Sequence, residues 1–173
     1  MNEFENKIVL ITGGADGIGK GCVMRFVEQG ATVLIGDIQE VRGRALANEL
    51  GSSTHFIPLD VTDNKSWKDA VELITKDFGS LHVLVNNAGI SARNSIEDMD
   101  LIEWQAIHSV NVDGIFLGCH HVIPLMHASG GGSIVTISSA LGLKPFSMYP
   151  AYCSAKAAAR MLTKTLALYC AER

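Results

Sequence analysis

The sequence predicts an α/β protein in which a doubly wound parallel sheet is covered by helices on both faces. Short, continuous apolar runs alternate along the chain with segments of helical periodicity. The runs are rich in Val, Ile and Leu, which is typical of parallel strands buried on both faces. Right-handed crossovers between such strands give one domain over residues 1–173 with strand order 3-2-1-4-5.

The individual elements follow from the same alternation, and no internal repeat interrupts it. The predicted strands are 7–12, 32–37, 54–60, 82–87 and 133–139. The predicted helices are 17–30, 38–51, 64–78, about 101–128 and 151–170. Gly30 and Gly51 are typical helix ends, and Asp63 or Asn64 is a suitable N-terminal cap for the third helix.

Composition excludes several classes of function. The 173 residues are 47% hydrophobic and 18% charged, with a formal net charge of −4, so nucleic acid is not an expected partner. No apolar run is long enough to span a bilayer, and the polar start is unlike a secretory signal. A cytoplasmic protein with free thiols is therefore predicted. The four cysteines, all expected to be buried, are Cys22, Cys119, Cys153 and Cys170.

A metal site is not expected. His120 and His121 point to different faces of a helix, and no carboxylate joins them and His127 into a ligand set. The few aromatic residues form no stripe on which nucleic-acid bases would stack.

A glycine-rich turn, TGGADGIG at 12–19, lies between the first strand and the first helix. Such a turn lets a pyrophosphate approach the backbone and the positive end of the helix. Asp37 ends the second strand, where its carboxylate can accept hydrogen bonds from the adenosine ribose and repel a 2′-phosphate. Together these features predict NAD rather than NADP, and Asp16 adds negative charge to the loop. The alternative is that Asp37 only caps the next helix.

Polar and small residues also follow the third and fourth strands. Asp60-Val61 ends the third strand, where Asp60 can accept from an adenine amino group. Asn87, Ala88 and Gly89 end the fourth strand, where small residues let the cofactor approach the backbone. The alternative, that 86–89 is only a turn, is disfavoured because all these strand ends meet at one edge of the sheet.

Tyr152 and Lys156 are four residues apart on the last helix and share one of its faces. An ammonium beside a phenol stabilises the phenolate and makes tyrosine a usable general acid or base. Alone, such a pair is usually a packed tyrosine beside a solvated lysine. Ser139, predicted to end the fifth strand, and Asn111, an amide within an apolar helix, favour the catalytic interpretation. Asn111 can equally be a buried amide bonded to backbone.

The chain resembles the short-chain dehydrogenase/reductase family. The matching stretches run in the family's order from residue 7 almost to the end: TGGADGIG, Asp37, DVT at 60–62, NNAG at 86–89, Asn111, the serine pair ending at Ser139, and YCSAK at 152–156. The resemblance implies a Rossmann fold and a catalytic tetrad of Asn111, Ser139, Tyr152 and Lys156.

The resemblance also implies the role of each tetrad member. Tyr152 would exchange the alcohol proton, Lys156 would bind the nicotinamide ribose, Ser139 would orient the substrate oxygen, and Asn111 would hold a water of the proton relay. The residues predicted to bind the cofactor are Gly13, Asp16, Gly17, Ile18, Gly19, Asp37, Ile38, Asp60, Val61, Asn87, Ala88, Gly89, Tyr152 and Lys156.

Members of that family continue beyond the helix that carries Tyr152, so the chain is expected to be a fragment or a truncated product. Its fifth strand is then expected to be an exposed apolar edge. The apolar segment 141–149 predicts a hydrophobic secondary alcohol or ketone as substrate, cyclic or steroid-like. The family resemblance implies a homodimer or homotetramer formed through the helices 101–128 and 151–170. The alternative function is a catalytically weak NAD-binding or subunit-association module.

Overall fold

A computed structural model describes residues 2–171 and contains a five-stranded, wholly parallel sheet. Its order is β3-β2-β1-β4-β5, which confirms the predicted fold class and strand order. The strands are β1 (Ile8–Thr12), β2 (Thr32–Asp37), β3 (Thr54–Pro58), β4 (Val83–Asn86) and β5 (Ser133–Thr136). The helices are α1 (Gly17–Glu28), α2 (Glu40–Leu50), α3 (Asn64–Phe78), α4 (Leu101–His108), α5 (Gly114–Ala128) and α6 (Pro150–Ala171).

Each central strand contributes alternate side chains to two cores, one on either face of the sheet. On one face, Leu10 and Leu84 pack with Trp67 of α3 and Val122 of α5. The opposite face joins other residues of the same strands to α1 and α2, and its members include Val9, Ile11, Val33, Ile35, Val85, Val23 and Leu46. Burial on both faces explains why β1, β2 and β4 are apolar at nearly every position.

The helix ends have identifiable caps. Asp63, rather than Asn64, caps α3, because its carboxylate accepts hydrogen bonds from the amides of Lys65 and Ser66 at 2.9 and 3.2 Å. Gly79 ends the same helix with φ of +74°, a left-handed conformation that glycine adopts without a Cβ clash.

The predicted helical stretch 101–128 is helical throughout, but its geometry changes on the way. A π-helical turn, Ser109–Asp113, separates α4 from α5. Asn111 lies in the middle of this turn and is buried. Turns of this kind occur often at functional sites, and the polar residue in the apolar pattern marks its position.

Three strands end earlier than predicted, and β4 does so by one residue, at Asn86 rather than at residue 87. β3 ends at Pro58 rather than at residue 60, so Asp60 lies in the loop that follows it. β5 ends at Thr136 rather than at residue 139, and Ser139 instead caps a short 3-10 turn, Ala140–Gly142. A local contact stabilises this turn, in which the Ser139 hydroxyl accepts a hydrogen bond from the Leu141 amide at 3.1 Å.

The cysteines are free, as predicted, but their burial differs. Cys119 is buried, and burial raises the pKa of its thiol to about 11. Cys170 is exposed on α6, so the prediction that all four are buried is wrong. No helix within residues 2–171 is both long and apolar enough to cross a membrane.

Candidate active site

A groove of about 500 Å³ runs along the edge of the sheet where the parallel strands end. Open α/β sheets bind ligands at this edge. One end of the groove is formed by the turn after β1 and the end of β2, and the other by Tyr152 and Lys156 of α6. Its remaining lining residues include Gly13, Asp16, Gly17, Ile18, Asp37, Ile38, Gln39, Asp60, Val61, Asn87, Ala88, Gly89, Ile90, Ser91, Ile137 and Ser138.

The turn after β1 is shaped by glycine at specific positions. Gly13 and Gly17 have φ of +62° and +55°, which disfavour any side chain. A Cβ at Gly13 would lie 2.9 Å from the Cα of Ala88, and one at Gly19 would collide with the Gly13 carbonyl. Gly19 is buried beneath the turn instead of lining the groove. The turn therefore presents its backbone and the N-terminus of α1 to the groove, an arrangement that suits a pyrophosphate.

Asn87 and Thr12 hold the end of β4 against this turn. The Thr12 hydroxyl accepts hydrogen bonds from the amides of Asn87 and Ala88, both at 3.0 Å. The Asn87 side chain donates in return to the carbonyls of Thr12 and Gly13 at 2.8 and 3.1 Å. Residues 86–89 are thus fixed to the glycine turn. The alternative that they form only a turn does not explain these hydrogen bonds.

The carboxylate of Asp37 is buried at the end of β2. One oxygen accepts from the Ala15 amide of the glycine turn at 3.0 Å, and the other from the Gln39 amide at 2.9 Å. Gln39, and not Asp37, precedes the first helical residue of α2. Each carboxylate oxygen keeps further acceptor capacity, so Asp37 can also receive ribose hydroxyls.

Lys156 is buried under the other end of the groove. Its ammonium donates to the Ile137 carbonyl at 2.9 Å and lies 5.7 Å from the centre of the Tyr152 ring. Burial lowers the pKa of Lys156, because desolvation disfavours the charged form. A solvated lysine beside a packed tyrosine is therefore not what the chain forms. The ammonium is fixed near the phenol, where it can stabilise negative charge.

Asn111 lies behind this pair and is completely buried. Its amide nitrogen donates to the carbonyls of Ile90 and Ile107, both at 2.8 Å, while its side-chain oxygen has no hydrogen-bond partner. A Cβ built on Gly89 would lie 2.7 Å from that oxygen and 3.4 Å from the Lys156 ammonium nitrogen. The Asn111 oxygen and Lys156 thus face one small space, which glycine at 89 leaves open.

Comparison with known proteins agrees with this architecture. The family model for short chain dehydrogenases matches residues 7–173. The chain belongs to the short-chain dehydrogenase family. Among its relatives is the 3-alpha-(or 20-beta)-hydroxysteroid dehydrogenase of Mycobacterium tuberculosis, 45% identical over 162 residues, which are 94% of this chain. The chain spans 62% of the length of that relative.

Two further relatives and one solved structure are similar over most of the chain. The trans-4-hydroxycyclohexanecarboxylate dehydrogenase of Sinomonas cyclohexanicum is 42% identical and matches 94% of this chain and 66% of its own length. The cyclopentanol dehydrogenase of a Comamonas species is 37% identical, with coverages of 97% and 68%. The protein in the crystal structure of gox2181 is 30% identical to this chain in sequence, and the two superpose with a TM-score of 0.95. The match covers 99% of this chain and 69% of that chain.

This short-chain dehydrogenase chain brings most of the sequence-predicted residues to one groove. Gly19 and Asn111 lie outside its lining, and so does Ser139. The residue at the groove is its neighbour Ser138, whose hydroxyl donates to the Lys156 carbonyl at 3.2 Å. Sequence reasoning did not single out Ser138, although it stands in the same serine pair. Gln39, Ile90 and Ser91 were also missed, although they lie within a few residues of predicted strand ends. Ile137 was missed as well, and it lies inside the predicted fifth strand, one residue past the observed end of β5 at Thr136.

The segment 141–149, expected to border the substrate, lies beyond this groove. Leu143 and Phe146 are exposed, and the rings of Phe146, Tyr149 and Tyr152 follow one another with centroid separations of 5.8 and 6.5 Å. An apolar, partly aromatic surface therefore leads from Tyr152 towards solvent.

Proposed function

We propose that this chain is the cofactor-binding and catalytic part of an NAD-dependent oxidoreductase that interconverts a hydrophobic secondary alcohol and its ketone. The observation that carries the proposal is the buried Lys156 ammonium, fixed to the Ile137 carbonyl and 5.7 Å from the Tyr152 ring centre. A charged group is buried at such cost mainly where it has a task. The groove beside it, with its glycine turn, fits a dinucleotide.

The preference for NAD rests on Asp37. Its buried carboxylate is already oriented by the amides of Ala15 and Gln39, so its remaining acceptor positions face the groove at no further ordering cost. Such a group favours the two hydroxyls of an unmodified ribose and repels a 2′-phosphate.

In the proposed mechanism Tyr152 is the general acid and base that exchanges the hydroxyl proton of the substrate. Lys156 stabilises the phenolate and binds the nicotinamide ribose. The unpartnered oxygen of Asn111 accepts from a water that joins it to Lys156, because a deeply buried acceptor in a polar space is typically paired through water. A bound nicotinamide supplies the acceptor for the hydride.

Ser139 is proposed to orient the substrate oxygen, as the family resemblance implies. Its hydroxyl is a hydrogen-bond acceptor for the Leu141 amide and keeps its own proton to donate. Ser138 supports the same region by bonding to the Lys156 carbonyl.

The substrate class is proposed from two sources. The relatives named above are dehydrogenases of a hydroxysteroid, a hydroxycyclohexanecarboxylate and cyclopentanol. The surface of segment 141–149 is apolar and partly aromatic. A cyclic secondary alcohol, up to the size of a steroid, suits both observations, and NAD favours its oxidation.

The test joins binding and turnover. Calorimetric titration of the native protein is expected to give saturable NAD binding and much weaker NADP binding. NADH formation is then measured by its absorbance with cyclopentanol, cyclohexanol and a hydroxysteroid. Tyr152→Phe is expected to lower turnover by roughly 10²- to 10⁴-fold and to weaken NAD binding far less. Tyr169→Phe, on the exposed end of the same helix, is the matched control and is expected to keep native turnover.

A second candidate is an NAD-binding subunit-association module without catalysis. The observation that favours it is the exposure of large apolar side chains on the outer helices, including Leu101, Ile102, Phe116, Met161 and Leu168. Such a protein would bind NAD and self-associate in sedimentation experiments as a dimer or tetramer, yet oxidise no alcohol. Turnover that depends on Tyr152 decides against it.

A further inference from the structure

The segment that carries Ser139 leaves the sheet soon after β5 ends. The Ile137 amide still donates to the Asn86 carbonyl of β4 at 2.9 Å. The residues that follow, 138–142, contain Ser139 and the short 3-10 turn, and together they form the Ser139 turn. Because β5 pairs with β4 alone within residues 2–171, the edge of the sheet gives this turn little support.

Helix α6 supports the Ser139 turn at both of its ends. At the first residue, the Ser138 hydroxyl donates to the Lys156 carbonyl at 3.2 Å. At the last residue, Gly142 lies so close to α6 that a Cβ there would be 2.9 Å from the same carbonyl. The Gly142 carbonyl also accepts a hydrogen bond from Nη1 of Arg160 at 3.3 Å. The Ser139 turn is thus attached on either side of its serine to the helix that carries Lys156.

Arg160 supplies the charged part of this attachment. It is four residues after Lys156, so the two side chains lie on the same face of α6. Arg160 is partly buried, and its guanidinium meets the end of the 3-10 turn, where carbonyl groups lack partners within the turn. Cationic side chains bind such carbonyls through hydrogen bonds and through attraction to the negative end of the turn. The helix face of Lys156 therefore also carries a side chain that holds the Ser139 turn.

We propose that Arg160 is a positioning residue for the proposed reaction, which keeps the Ser139 hydroxyl in place for the substrate oxygen. Arg160 itself touches neither substrate nor cofactor in this assignment. It acts on the turn through the Gly142 carbonyl, and the turn places Ser139. A misplacement of about 1 Å at a reacting group can lower a rate by up to about 10²-fold. The inference rests on the proposed function, because it concerns the substrate half of the same site.

Two other roles for Arg160 predict different results. A solvated arginine would have no effect on turnover or on the turn. An arginine needed for the fold as a whole would affect NAD affinity as strongly as turnover. The positioning role predicts a loss confined to substrate turnover, because the glycine turn and Asp37 follow β1 and β2, away from the Ser139 turn.

The first experiment measures turnover and NAD affinity in three variants, with the alcohol that the native protein oxidises best. Arg160→Met keeps an aliphatic stem and a similar helix propensity but removes the donors. It is expected to lower kcat/KM for the alcohol about tenfold, with the NAD dissociation constant within about twofold of native. Arg160→Lys keeps a charged donor and is expected to recover most of this loss. Lys164→Met makes the matched change at an exposed position one turn further along α6, and should leave both quantities unchanged.

A loss of NAD affinity as large as the loss of kcat/KM in Arg160→Met would indicate a general disturbance of the groove and would overturn the inference. So would a loss that Lys164→Met reproduces, because the net charge of α6 would then be the cause.

A double-mutant cycle tests whether Arg160 acts through Ser139. Ser139→Ala removes the hydroxyl that Arg160 is proposed to place. Adding Arg160→Met to Ser139→Ala is then expected to lower kcat/KM by less than about twofold further, because the two changes affect one contact. A further loss of about tenfold would show that Arg160 acts independently of Ser139, which contradicts the proposed role.

Hydrogen exchange tests the turn itself without substrate or cofactor. The amides of Leu143 and Lys144 both donate to the Ala140 carbonyl, at 3.0 and 2.9 Å. Both are expected to exchange about tenfold faster in Arg160→Met, because the turn opens more often once its attachment is removed. The Ile137 amide, which is bonded to β4, is the internal control and should be unchanged. Unchanged exchange at Leu143 and Lys144 overturns the inference, as does faster exchange combined with native turnover.

The outcomes separate the two proposals. If the native protein oxidises an alcohol and Arg160→Met keeps the native kcat/KM, only the role of Arg160 fails. If the native protein oxidises no alcohol, the proposed function fails, and the role of Arg160 is rejected with it.

Discussion

The centre of the sheet and its β5 edge differ along a single row of paired residues. Ile35, Ile11, Val85 and Val135 are neighbours across β2, β1, β4 and β5. The first two side chains are completely buried and Val85 is 3% exposed, whereas Val135 is 45% exposed. The same valine side chain is thus part of a closed core in one strand and of an open surface in the next.

This difference separates the two ends of the groove. The strands that carry the glycine turn and Asp37 have hydrogen-bonded neighbours on both sides, whereas β5 pairs with β4 alone within residues 2–171. The adenosine end is therefore built on a closed core. Ser139 and the segment 141–149 follow an edge strand. Changes at the centre are expected to affect stability and cofactor affinity, and changes at the edge to affect neither strongly.

The largest effect is expected from Thr12→Val at the end of β1. The substitution removes the buried hydroxyl that accepts from the amides of Asn87 and Ala88, and should lower the free energy of unfolding by about 2–3 kcal/mol. Thr54→Val is the matched control, because the buried hydroxyl of Thr54 has no partner. It is expected to be neutral or stabilising by up to about 1 kcal/mol. Urea denaturation measures both, and equal losses would contradict the assignment of the Thr12 bonds.

A smaller effect on stability is expected at the paired valines of β4 and β5. Val85→Thr places a hydroxyl in the closed core and should cost about 1.5 kcal/mol. Val135→Thr makes the same change at the paired position on the edge and is expected to stay within about 0.5 kcal/mol of native. Thermal and urea unfolding of the two variants compare the strands directly. A cost at Val135 equal to that at Val85 would show that β5 is covered in solution.

The smallest effect concerns the pH dependence of stability at Lys156. Burial lowers the pKa of this ammonium in the folded protein below the usual 10.5. Between the pKa of the folded protein and 10.5, the unfolded chain therefore binds more protons than the folded one. The free energy of unfolding should therefore rise with pH as pH approaches 10.5, by a fraction of the ~1.4 kcal/mol per pH unit that one proton contributes. Lys156→Met should flatten this rise. Urea midpoints at several alkaline pH values test it, and parallel pH profiles of the two proteins would refute it.

The sequence predicts the centre of the molecule better than its edge, for physical reasons. The strands β1, β2 and β4 are buried on both faces, so nearly every residue in them is apolar and the run is recognisable in the sequence. β5 was predicted three residues too long because Ile137 is apolar like the strand before it, whereas in the structure the Ile137 carbonyl binds Lys156 and the Ser139 hydroxyl caps the next turn. Composition does not encode such a contact.

The candidate site shows the same division. Asp37 and Lys156 could be predicted because spacing along a strand and a helix places them. Asn111 was recognisable as an amide among apolar residues. The π-helical turn that contains it was not, since no residue preference distinguishes a π-helical from an α-helical turn. The contact of Arg160 with the Gly142 carbonyl joins residues 18 positions apart, and it depends on how closely the Ser139 turn approaches α6.

The π-helical turn also sets the phase of the helices on either side of it. Each residue advances an α-helix by about 100°, so the wider turn at Ser109–Asp113 rotates α5 out of step with α4. Both segments pack against α6, and α5 packs against α3 as well. The helical stretch 101–128 thereby connects the helix of Tyr152 to α3 on the same face of the sheet, and Asn111 lies at the point where its phase changes.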